Sequence, residues 1–220
     1  MAAQGNSRDV ILADVRAGLG RAPGAPVAAS PAIPPARAPG APDQEIERLL
    51  NEIAALKGNA RRLASAEVSK ALADLVRAEN VRKAAQWSTA GLERLGVTSC
   101  LRGLGVEIVP SDAGIKALGD VDLGITEADF ALAETGTLGL LSSPAKPRQI
   151  SLVPRIHLAM VPARAFRADM HQVFEEAKKQ GYLVFITGPS RTADIELTVT
   201  IGVHGPKVLY VWVVDGPWAE

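Results

Sequence analysis

Residues 184–215 read VFITGPSRTADIELTVTIGVHGPKVLYVWVVD. Two apolar runs, 184–187 and 208–215, bracket a stretch dense in Gly, Pro, Ser, Arg, Thr, Asp, Glu and His. Runs apolar at successive positions belong to strands covered on both faces. Working outward, residues 168–180 repeat apolar residues at helical spacing, with Met170, Val173, Phe174 and Ala177 expected inward and Gly181 as the stop. Segments 149–153 and 156–161 read as strand pieces. Residues 130–133 and 138–141 are apolar runs joined by Glu134, Thr135, Gly136 and Thr137, the pattern of a hairpin.

The earlier half alternates in the same way. Helices are expected over 43–57, capped by Asp43, over 66–79 and over 89–95. Strands are expected over 60–63, 81–87 and 104–109. Strands covered by helices on both sides define an α/β class with a Rossmann-like sheet, and the hairpin makes that sheet mixed rather than purely parallel. Residues 43–220 form this domain. Before it lie a short helix over 1–19, with Ser7 as cap, and an Ala/Pro-rich linker over 20–42. The linker holds seven prolines and eight alanines, too little apolar area to bury, so an extended tether is expected. A helix on such a tether can reach a second subunit, which allows a homo-oligomer.

Composition narrows the function. Twenty-four basic residues balance twenty-four acidic ones, so there is no electrostatic footprint for nucleic acid. No apolar run is long enough for a membrane span, and the first residues do not read as a secretory signal; a cytoplasmic protein is expected. The one cysteine, Cys100, cannot alone hold a metal cluster, and three scattered histidines match no metal-ligand spacing. Cys100 reads either as an inert thiol or as a nucleophile.

Two polar clusters are candidate sites, both expected beyond the carboxyl ends of strands, where ligands bind in open α/β sheets. The first runs from Thr126-Glu127-Ala128-Asp129 into Glu134, Thr135, Gly136 and Thr137. Gly136 permits a close backbone approach, and the flanking hydroxyls could cradle a phosphate or carboxylate. An ordinary hairpin turn explains the same residues, although Glu134 at the end of an apolar run reads as half-buried. The second comprises Gly188, Ser190, Arg191, Thr192, Asp194 and Glu196. Arg191 can clamp a planar anion with two donors, or be held by its own acidic neighbours. Gly188-Pro189-Ser190 lacks the Gly-Lys-Ser/Thr ending of a P-loop. His204, between glycines, could shuttle a proton or brace its loop. His157 reads as a satisfied strand histidine and His171 as solvated.

The stretches TEADFALAETGTL (126–138), SLVPRIHLAMVP (151–162), ITGPSRTADIE (186–196) and GVHGP (202–206) resemble the LUD family and, within it, the lactate utilization protein C group. The resemblance covers roughly 43–215. Thr198 and Thr200 interrupt a segment expected to be more uniformly apolar, and the Ala/Pro linker looks like a local addition. The resemblance implies a fold like ribose-5-phosphate isomerase and CoA transferases, with a small antiparallel insertion. It implies a role in oxidising L-lactate to pyruvate beside iron–sulfur partner proteins, with no cofactor bound by this chain alone. The family pattern carries over no catalytic residues. The residues themselves leave Glu134, Asp194 and His204 as catalytic candidates, and Thr135, Gly136, Thr137, Gly188, Ser190, Arg191, Thr192 and Glu196 as binding candidates for a small organic anion. Three readings remain open: a non-catalytic subunit, a CoA-transferase-like or thioesterase-like enzyme using Glu134, and a ligand-sensing regulator.

Overall fold

The computed structural model describes residues 6–22, 24–26, 37–178, 181–192 and 200–218, without the Glu175 side chain. The chain divides into two units, Met1–Pro35 and Ala36–Glu220. The first carries α1 (Ser7–Gly18), whose N-cap is Asn6 rather than Ser7. Asn6 Oδ1 accepts from the Arg8 N–H at 3.2 Å. The apolar residues Val10, Ile11, Val15 and Leu19 are all exposed.

The second unit begins with α2 (Pro42–Ala55), β1 (Asn59–Ala64), α3 (Val68–Ala78), β2 (Lys83–Gln86), α4 (Ala90–Arg94) and α5 (Val97–Gly103). It continues through β3 (Glu107–Ile108), α6 (Gly114–Gly119), β4 (Leu123–Glu127), β5 (Phe130–Leu132), β6 (Thr137–Leu141) and α7 (Gln149–Leu152). Then come β7 (Ile156–Val161), β8 (Phe166–Arg167), α8 (Met170–Ala177), β9 (Leu183–Ile186), β10 (Arg191–Thr192), β11 (Thr200–Ile201) and β12 (Val208–Asp215).

Six strands form one sheet in the order β1-β12-β7-β4-β2-β3, parallel throughout. A second sheet, β8-β5-β6-β9, holds the hairpin and pairs antiparallel except at β5–β8. The α/β class therefore stands as expected, with the antiparallel insertion in a sheet of its own. Continuous apolar runs make the parallel strands two-faced. From β12, Leu209, Val211 and Val213 join Ile46, Leu49 and Ile53 of α2 in one core. Trp212 and Val214 join Leu72, Leu75, Leu92 and Leu101 of α3, α4 and α5 in the other. Burying each such side chain contributes about 1.5–3 kcal/mol.

Several expectations need correction. The run 182–187 is an edge strand of the small sheet, not a strand of the main one, and Phe185 is exposed. Phe174 is also exposed, and meets Phe185 edge-on with ring centroids 6.0 Å apart. Residues 149–152 are helical, not extended, and β4, α5 and α6 were not anticipated. Asp43 sits in the first turn of α2 while Ala41 is the N-cap and Pro42 opens the helix, as suits a residue without a needed N–H. Asp43 instead pairs with Arg62 at 2.7 Å.

Arg37, within the stretch read as linker, is tied to the residues of the second unit. Arg37 donates to Glu45 at 2.8 and 2.5 Å and to the Ala168 carbonyl at 3.1 Å. Its backbone N–H donates to Asp169 Oδ2 at 3.0 Å, while Asp169 Oδ1 accepts from Gln172 N at 3.1 Å to cap α8. The Arg37 guanidinium holds the buried Glu45 carboxyl below the usual carboxylate range.

Candidate functional site

The two sequence clusters meet across the small sheet. Strand β6 pairs antiparallel with β9 so that Leu138 faces Ile186, which sets Thr137, at the start of β6, beside Thr187, just after β9. Thr135 Oγ1 donates to Thr137 Oγ1 at 2.8 Å, and Thr137 Oγ1 shares a hydrogen bond of 2.8 Å with Thr187 Oγ1. Both glycine turns also rest on the end of α2. Gly136, at φ +63°, leaves no space for a Cβ, which would lie 3.0 Å from the backbone of Glu52 and Ile53. Gly188, at φ +93°, faces Leu56. Arg191 Nη2 donates to the Leu56 carbonyl just past the helix C-terminus, where a cation is favoured. Gly136 thus serves a close approach to protein backbone rather than to a ligand.

A cavity of about 380 Å³ opens beside the second turn. Thr187, Gly188, Ser190 and Arg191 form one wall, His204, Gly205 and Pro206 another, and Ser151 and Leu152 of α7 a third. His157 and Leu209 lie at its base. These two residues stand at the amino ends of β7 and β12, so the cavity occupies the rim opposite to the one expected. Glu134, Thr135, Gly136, Thr137 and Thr192 do not line it. Glu134 and Thr135 are exposed while Thr137 is buried; the carboxylate read as half-buried is in water. Asp194 and Glu196 lie outside the described residues. His204 is exposed on the cavity wall.

Among the described residues, the cavity lining contains no carboxylate and Arg191 and His204 make no ion pair. Such a lining favours an anion of small size. His157 shares a 2.8 Å hydrogen bond between Nε2 and Thr126 Oγ1. Burial pushes its imidazole down to about 3. It is therefore neutral near pH 7 and can supply a hydrogen bond but no charge. The sign of its linkage is fixed by that direction: the unfolded chain takes up a proton below about pH 6.5 and the native one does not. Stability is full above that pH and declines below it, by at most about 1.4 kcal/mol per pH unit. Urea midpoints measured between pH 7.5 and 4.5 should fall, and His157→Gln should flatten the upper part of that fall. An unchanged slope in the variant would assign the acid sensitivity elsewhere.

The opposite rim carries Glu127 and Asp129 of the first sequence cluster, with partners that the sequence did not reveal. Glu127, at the carboxyl end of β4, is buried; Thr89 Oγ1 donates to it at 3.0 Å and Arg164 Nη2 at 2.6 Å. Asp129 accepts from Lys146 and from the Leu141 N–H. Each carboxylate here has its cation, so the cluster is internally neutralised. Cys100 reads as inert: burial raises its thiol pKa, and its sulfur donates to the Ser69 carbonyl at 3.5 Å, the reverse of an activated nucleophile. Ser151 and Leu152 escaped notice because residues 149–152 read as strand; the Pro147 just before them was the signal for a break. No group of three or more metal-ligating side chains comes together, and no helix is long and apolar enough to cross a membrane, among the described residues.

Comparison with known proteins agrees with this architecture. A lactate utilization protein C from Halalkalibacterium halodurans is 30% identical over 185 residues, covering 79% of this chain and 80% of that one. Another from Shouchella clausii is 32% identical over 184 residues, covering 79% and 80%. The crystal structure of a DUF162 family protein from Deinococcus radiodurans shares the fold with a TM-score of 0.61 at 20% identity, covering 80% of this chain and 100% of that one. The LUD domain family model matches residues 46–214, a span that runs from α2 to β12 and so includes the six-stranded and four-stranded sheets and the cavity; the chain belongs to the LUD domain family.

Proposed function

We propose that this protein is a cytoplasmic component of a lactate-utilisation system, binding a small organic acid anion in the cavity at the amino rim and acting with partner proteins that carry iron–sulfur clusters. The observation that supports an anion is the cavity itself, ringed by Ser190, Arg191 and His204 without a carboxylate among the described residues. The relatives called lactate utilization protein C support the choice of system. In this reading Arg191 provides the charge and Ser190 a neutral donor. His204 adds a second donor. The buried neutral His157 fixes the base. Glu134, exposed and outside the cavity, has no place in the binding step.

A thermal-shift series on the full chain tests it, because a ligand held only by the folded state raises the midpoint. L-lactate or pyruvate should raise the midpoint in a concentration-dependent way, and Ser190→Ala should reduce the rise. Midpoints that stay flat up to saturating concentrations of both acids would contradict the reading. Affinity capture from cells grown on lactate should also recover iron–sulfur proteins; capture of none would remove the partnership.

A further inference from the structure

The loop 202–206 is a fixed wall between two hollows. Leu152, His204 and Gly205 line both. The second hollow, about 440 Å³, is completed by Ile115, Val153, Arg155, Val203 and Lys207 among others. The wall is pinned from both sides. Ser190 N donates to the Pro206 carbonyl at 3.0 Å, Gly202 N to the Ser190 carbonyl at 2.9 Å, and Lys207 N to the Arg155 carbonyl at 2.8 Å. Gly202, at φ +75°, leaves its Cβ position 2.1 Å from Lys207 Cγ. The lysine stem therefore crosses the glycine, which holds the start of the side chain in place.

The charge of the second hollow is one-sided. Among the described residues it is lined by Arg155, Lys207 and His204 and by no carboxylate. Arg155 is partly neutralised by Glu79 at 3.3 Å and Asp122 at 4.0 Å. Lys207 is exposed and forms no ion pair among the described residues. Beside these cations lie Ile115, 68% exposed, and Val203, 44% exposed. An ammonium acting as a point charge next to uncovered apolar carbon suits a phosphate joined to an organic skeleton better than a free inorganic ion.

We propose that the second hollow is the phosphate-binding half of a two-part site, so that the full ligand is an organic acid or acyl group with a phosphate-bearing extension. Its acid end occupies the first cavity, and its phosphate sits beside Lys207 and Arg155. This rests on the reading of the first cavity as an acid site, and the test separates the two.

Titration calorimetry on the full chain would compare L-lactate, 3-phosphoglycerate, coenzyme A and inorganic phosphate. At least one of the two phosphate-bearing organic ligands should bind about tenfold tighter than L-lactate. Binding of 3-phosphoglycerate alone would point to a phosphorylated small acid, and binding of coenzyme A alone to an acyl carrier; either supports the proposal. Inorganic phosphate should compete with the phosphate-bearing ligand and leave L-lactate unaffected. Lys207→Gln keeps the side-chain stem and removes the charge. It should weaken the phosphate-bearing ligand about tenfold and L-lactate by less than about twofold, and Lys207→Arg should restore most of the loss. Phosphate-bearing ligands no tighter than L-lactate, or a Lys207→Gln variant that weakens both equally or neither, would overturn the proposal. Failure of the first reading looks different: L-lactate would not bind, or would ignore Ser190→Ala, while Lys207-dependent phosphate binding persisted.

Discussion

Gly124→Ala is expected to leave the main domain unfolded or recovered as aggregate. Gly124 lies in β4, flanked by β2 and β7 in the interior of the parallel sheet. A Cβ there would stand 1.9 Å from the Ile150 carbonyl oxygen and 3.0 Å from Pro154 Cγ. The first of these is backbone and cannot swing aside, so either α7 lifts off the sheet or β4 shifts out of register. Ordinary overpacking costs about 1–3 kcal/mol; a clash with backbone at this distance should exceed about 4 kcal/mol, a large share of a domain's stability. The yield of soluble protein, far-ultraviolet circular dichroism and the urea midpoint measure it. A folded variant with a midpoint near that of the parent would mean that α7 is not seated on β4. Ser151 and Leu152 would then not form a wall of the cavity as described.

Arg37→Met should destabilise the domain by about 3 kcal/mol, as expected when one partner of a largely buried ion pair is removed. The Arg37 and Glu45 side chains are 24% and 10% exposed. Without Arg37 the Glu45 carboxylate keeps the Gly40 N–H at 2.8 Å and the weaker pull of the Arg48 charge, and the Ala168 carbonyl loses the donor that Arg37 Nε supplies. The double variant Arg37→Met/Glu45→Leu should recover much of the loss, because no charge is then left buried alone. The same pair sets an acid response. Glu45 has its folded-state pKa lowered, first by the Arg37 hydrogen bond, so its contribution is complete above the ordinary carboxylate range. It is lost as the pH falls toward the lower folded value. In Arg37→Met that part of the acid sensitivity should disappear. A single variant as stable as the parent would show that residues 37–41 do not strap the domain.

Much of the architecture was legible in the residues. The successive apolar positions of β7 and β12 have one physical solution, a strand covered on both faces, and the hairpin around Gly136 is local turn chemistry. Partners distant in sequence were not legible. Residues 182–187 are as apolar as a core strand, yet they form an edge of the small sheet, because sheet membership depends on pairing across the fold with β6. Residues 123–127 were missed as a strand because Gly124, Thr126 and Glu127 break the apolar run. Each has a reason visible only in three dimensions: Ile150 over Gly124, His157 on Thr126, and Arg164 with Thr89 on Glu127. The candidate site was legible by half. The residues 187–191 and His204 do border one cavity, but Glu134 and Gly136 serve the turn and its seat on α2. The rim was misplaced because the rule for carboxyl ends holds for strands of the parallel sheet, and the strand leading into Gly188 is not one of them.

The central claim is that a small acid anion binds at the amino rim, between the turn at 187–191 and the loop at 202–206. The most direct measurement is a crystal of the full chain soaked in pyruvate. The expected result is density for the acid in the 380 Å³ cavity, its carboxylate within hydrogen-bonding reach of Ser190 and Arg191. Density for the acid at the opposite rim beside Arg164, or an empty cavity in a crystal whose cavity mouth is open to solvent, would contradict it.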